Sequence, residues 1–80
     1  MDVDKRNQNE KDFANWKETS RGRRMYWFDV MGRNGGKARY VKEVDNHEKT
    51  ISFRQEIFNK EGNMIEIHEK YPVDKGHLKI

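Results

Sequence analysis

The segment RMYWFDVM, Arg24–Met31, runs into GRNGG at 32–36 and then into KARYVKEV, Lys37–Val44. Aromatic and β-branched residues dominate both flanks, which is the composition of strands. At the centre, Asn34-Gly35 is the strongest short-range hairpin signal, because both central positions of a type I′ turn need positive φ. A two-residue turn there sets Trp27 opposite Lys42 and Phe28 opposite Val41. The three neighbouring glycines are explained by the turn. A phosphate-binding loop is not, since Met31 stands where its first glycine belongs and Ala38 where its hydroxyl belongs.

Working toward the C-terminus, TISFRQEIF (Thr50–Phe58) alternates apolar and polar residues, and so does MIEIHEKY (Met64–Tyr71). Between them, Asn59-Lys60-Glu61-Gly62 fits a type I turn with Gly62 at its left-handed position. A three-residue loop sets Ile57 opposite Ile65 and Arg54 opposite His68. Pro72 lacks an N–H and ends the ladder. Residues 73–80 read as a tail. Toward the N-terminus, Phe13 and Trp16 are spaced for one helix face and Gly22 suits the residue past a helix end, which predicts a short helix over roughly residues 9–20. Polar, mixed-charge residues 1–12 read as a disordered tail.

The expected fold is α+β and mainly β: a four-stranded antiparallel meander with a short N-terminal helix, in a single small domain over residues 13–80. Pairing Val44 with Ile51 keeps one face apolar, with Trp27, Phe53, Ile57 and Ile65 on it. Little chain remains to cover that face, so a homodimer or a protein partner is expected there.

Composition narrows the function classes. The 80 residues hold no cysteine, which excludes a disulfide scaffold and cysteine-based zinc or nucleophile chemistry. No apolar run reaches the ~18 residues that span a bilayer, so no membrane partner and a cytoplasmic location are expected. His47, His68 and His77 show no ligand spacing, and neither a metal nor a cofactor is expected.

The +3 net charge is uneven. Residues 21–42 hold seven basic side chains against one acidic, while both flanking segments are net negative. Arg21, Arg23, Arg24, Arg33, Lys37 and Arg39, interleaved with Tyr26 and Tyr40, suit phosphates and unpaired bases. The first reading is therefore a non-enzymatic module that contacts nucleic acid or a nucleoprotein, with RNA or single-stranded DNA favoured. Lys49, Lys60 and Lys75 sit among acidic neighbours and are expected to contribute little. Size and composition match phage, mobile-element and toxin–antitoxin products.

Two other readings stand beside it. The trial register gathers Glu56, His68 and Arg54, a general base, a general acid and a phosphorane-stabilising cation, as a metal-independent ribonuclease toxin would need. The third reading is a protein–protein adaptor or inhibitor that uses the open sheet face.

Overall fold

The computed structural model describes residues 3–80, and at Arg33 the backbone alone. Four strands fall on the segments picked out by alternation: β2 (Arg24–Met31), β3 (Lys37–Val44), β4 (Thr50–Phe58) and β5 (Met64–Tyr71). Two short edge strands extend them, β1 (Asn15–Glu18) and β6 (His77–Lys79), making an open six-stranded sheet in chain order with every neighbour antiparallel. The expected four strands are thus the centre of a larger meander.

The N-terminus departs most from expectation. Helix α1 covers Val3–Asp12, where a disordered tail was expected. Residues 15–18, assigned to the helix, pair with β2 instead. Met1 and Asp2 of the expected tail lie outside the described residues. The Phe13/Trp16 spacing misled because the two aromatics do different jobs. Phe13 is buried against Tyr26, Phe28 and Phe53. Trp16 stays 44% exposed, with the Arg24 guanidinium 3.8 Å from its ring centroid.

Two register slips re-sort the sheet faces. The turn chemistry at Asn34-Gly35 is as expected, both residues having positive φ (59° and 77°). Gly32 N–H, however, donates to the Gly36 carbonyl, so Arg33 is an extra loop residue. Trp27 therefore lies opposite Val41, and Phe28 opposite Tyr40. In the next hairpin the loop over 60–62 forms as expected, but a bulge at Ile65 sets Ile57 opposite Glu66 and Gln55 opposite His68. The expected β3–β4 register holds from Lys37 to Glu43, then a bulge pairs Val44 with Thr50 instead of Ile51. A one-residue slip turns every side chain of a strand to the other face. Strand β2, and β5 from Ile65 to Glu69, are flipped relative to expectation.

The resulting helix-side face carries Tyr26, Phe28, Tyr40, Lys42, Val44, Phe53 and Gln55, with α1 and Phe13 packed on it. The other face carries Trp27, Val41, Arg39, Arg54 and Glu56. Trp27 and Phe53 lie on opposite faces, so the single apolar surface expected to pair two copies is divided.

Only Phe13, Tyr26, Val41 and Val44 are buried apolar side chains, a small core for a described chain of this length. Apart from the exposed Val3, helix α1 is polar, and it docks through polar contacts. Their centre is Glu48, 2% exposed, in the β3–β4 turn. Its carboxylate accepts hydrogen bonds from Tyr26 Oη (2.8 Å), Asn9 Nδ2 (3.1 Å) and Arg6 Nε (3.0 Å). Asn9 in turn accepts from Lys42 Nζ at 2.8 Å. Burial pushes the Glu48 carboxyl up, but these three donors outweigh it and hold it below the ordinary range.

The turn geometry that aims Glu48 carries a cost. In the β4–β5 loop Asn59 Oδ1 accepts from the Glu61 and Asn63 amides, and Gly62 takes the left-handed position at φ 88°. The β3–β4 loop repeats the scheme: Asp45 Oδ1 accepts from His47 and Lys49, and Glu48 occupies the left-handed position at φ 64°. A bulky residue there is strained. The buried carboxylate offsets that strain.

Replacing Glu48 separates the two effects. Glu48→Ala should cost about 3–5 kcal/mol, the scale for stripping one partner from a buried charge pair. A chain of this length has only about 4–12 kcal/mol in total. Glu48→Gly loses the same contacts but sheds the left-handed strain, and should retain about 1 kcal/mol more than Glu48→Ala. Urea denaturation checks both. Equal losses would remove the strain, and wild-type stability in either variant would remove the hub.

Candidate nucleic-acid interface

The basic segment is dispersed by the fold. Arg24 is 7% exposed and works inside the protein, donating to Glu10 at 3.0 Å and to Tyr26 Oη at 3.3 Å. Tyr26 is fully buried, so its ring is closed to a base. Arg39 and Lys37 converge on Asp29, at 2.8 and 3.6 Å, and the Arg39 hydrogen bond holds the Asp29 carboxyl below its ordinary range. Tyr40 stacks on Phe28 with centroids 5.0 Å apart and accepts a hydrogen bond from Gln55, which fixes the ring in the sheet. Arg21 and Arg23 remain exposed on the β1–β2 loop, with no ion pair among the described residues. The Arg33 side chain lies outside the described residues.

A different cationic site forms on the helix-side face. Lys42, Lys49, Thr50, Phe53, Lys70 and Tyr71 line a cleft of about 450 Å³ that contains no carboxylate. Strand β3 supplies Lys42, the end of the Glu48 turn supplies Lys49, and the last two residues of β5 supply Lys70 and Tyr71. None of the three lysines forms an ion pair with a described carboxylate. Asp45 and Asp74 act on Lys49 and Lys70 only at longer range. Lys42 is held by the neutral Asn9 oxygen, and Lys70 Nζ sits 5.5 Å from the Tyr40 ring centroid. The arrangement keeps three ammonium groups at one opening without a direct ion pair to a described carboxylate, although Asp12 and Glu48 line the adjoining hollow with Lys42 and Lys49. A polyanion would relieve that mutual repulsion.

Sequence reasoning counted Lys42 within the basic segment but gave Lys49, Lys70 and Tyr71 no binding role. Lys49 was discounted for its acidic neighbours, yet Glu48 turns inward to Arg6 and Asn9 while Lys49 lines the cleft. The turn that carries Lys49 also touches the arginine loop. Gly22, between Arg21 and Arg23, lies against Asn46 of the turn that carries Lys49, within 3.4 Å of a Cβ built on Gly22.

The expected catalytic trio is not brought together. Arg54 and Glu56 are joined at 2.8 Å on one face, where Arg54 also donates to Glu43. His68 lies on the other face, opposite Gln55. Its Nε2 is 2.6 Å from Asp74 Oδ1, and its ring is 4.5 Å from that of His77. The cause is the Ile65 bulge, which moved β5 by one residue. Among the described residues no histidine–carboxylate group could hold a metal ion, and no helix is long and apolar enough to cross a membrane. No family model, curated protein or solved structure matches this chain.

The two neighbouring arginines should separate in stability. Arg24→Ala removes charged hydrogen bonds from a buried site and should cost about 1.5–3 kcal/mol. Arg23→Ala touches nothing in the fold and should stay within about 0.5 kcal/mol of wild type. Thermal and urea unfolding of the two variants checks this. Equal effects would mean that Arg24 is not part of the interior.

Proposed function

We propose that this chain is a small non-enzymatic module that binds nucleic acid through its phosphates. The observation that carries the reading is the carboxylate-free cleft of Lys42, Lys49 and Lys70. Phosphates release condensed counterions when lysines or arginines neutralise them, and this sequence-independent gain dominates non-specific affinity. The loop bearing Arg21 and Arg23 touches the turn that carries Lys49, and its two exposed arginines are available to phosphates further along a bound strand. Arg24, Lys37 and Arg39 of the central segment are engaged with Asp29, Glu10 and Tyr26, which leaves them structural roles.

Titration of labelled oligonucleotide at several salt concentrations tests the reading. Five neutralised phosphates on a single strand give a slope of log affinity against log salt near −3.5. The double variant Lys49→Ala/Lys70→Ala should weaken binding on every sequence and flatten that slope by about 1.4. Lys75→Ala, which removes only a surface pair with Glu69, serves as the control. Binding that ignores salt, or that is unchanged in the double variant, would refute the proposal.

A further inference from the structure

The cleft contains more than charge. Lys70 and Tyr71 are consecutive in β5, and in a regular strand consecutive side chains point to opposite faces. Both nonetheless line the same cleft. The ladder explains it: Phe53 pairs with Tyr71 while Arg54 pairs with Glu69, so Lys70 is an extra, bulged residue. Bulges re-aim side chains in this way. Pro72 follows at once and cannot donate to the ladder, so regular pairing ends at Tyr71. Tyr71 is 44% exposed, and its hydroxyl makes no hydrogen bond with a described residue. It offers an open aromatic face beside three ammonium groups.

We propose that the Lys42–Lys49–Lys70 cleft takes an unpaired nucleotide of a single-stranded nucleic acid, with the base stacked on Tyr71 and the flanking phosphates on the lysines. This rests on the nucleic-acid reading above and specifies which form is bound. A base exposes its flat face only when it is unpaired, and an aromatic side chain then supplies a sequence-tolerant platform. A duplex keeps its bases stacked inside and presents no free base face to Tyr71. Phe53 forms the inner wall of the cleft and is itself braced against Phe13, so that wall is fixed before the ligand arrives.

Fluorescence anisotropy of the full chain measures this with four probes at one salt concentration: a short RNA strand, the same sequence as single-stranded DNA, its duplex, and a mononucleotide as competitor. Both single strands should bind more tightly than the duplex, and the mononucleotide should compete only weakly because it brings a single phosphate group. Tyr71→Ala should lower the ratio of single-strand to duplex affinity by about 5- to 150-fold. Tyr71→Phe should keep the ratio. Tyr71→Leu, which preserves apolar bulk without a π-face, should lower it like alanine and guards against a folding defect in the smaller variant. Whichever of RNA and DNA binds more tightly names the natural source, and either preference supports the inference. Equal affinity for strand and duplex, with the ratio unmoved in Tyr71→Leu, would overturn this inference and leave phosphate binding standing. Absence of wild-type binding to any polynucleotide would overturn both.

Discussion

One buried carboxylate ties this protein together. Glu48 is the meeting point of α1, through Arg6 and Asn9, and of the sheet, through Tyr26. The apolar core is too small to hold a polar helix by burial alone. A ten-residue helix is also too short to persist unaided in water. The charge-assisted bonds therefore decide whether the N-terminus is helical at all. The backbone accepts a left-handed glutamate where the sister turn uses Gly62, and in that conformation the carboxylate meets its partners on the helix. A buried charge is expensive without partners. Here three donors meet it, and Arg24 extends the network from Tyr26 to Glu10.

The candidate site is downstream of that constraint. Docking of α1 places Asn9 against Lys42 and Phe13 against Phe53, which sets one wall of the cleft and one of its cations. The Glu48 turn then delivers Lys49, the next residue, to the rim. The bulge at the end of β5 delivers Lys70 and Tyr71 together. Three unrelated local devices converge on one opening, and two of them, the Glu48 turn and the β5 bulge, are departures from regular strand geometry. A ladder without strain or bulges would spread these residues over two faces.

Much of the fold was legible in the sequence, since alternation and turn residues marked the four central strands to their ends. The open antiparallel meander followed from that. The faces were not legible, because each hairpin carries one residue more than its turn requires, Arg33 in the first and Ile65 in the second. Ile80 donates its N–H to the Ile65 carbonyl, so the bulge is secured by a chain end that read as a loose tail. The one short helix was expected but placed too far along the chain, for a related reason. MDVDKRNQNEKD has no apolar stripe, and its stabilising partner lies 39 residues away from Asn9. For the site, charge clustering found Arg21 and Arg23 correctly as exposed cations. It also selected Arg24 and Tyr26, which the same network draws into the interior. Local composition does not reveal which charges a fold consumes and which it leaves at the surface.

The most direct measurement is a carbon-13 NMR titration of the Glu48 carboxyl, followed together with the amide shifts of Val3–Asp12. Because the folded carboxyl is held below its ordinary value near 4.5, its stabilising contribution is complete above that pH. It is lost as the pH falls through the folded value, since the unfolded chain binds the proton first. The account predicts a Glu48 midpoint below 4.5, with the helical shifts of α1 collapsing in the same transition. A Glu48 midpoint at or above that value, with α1 still helical after the carboxyl is protonated, would contradict it.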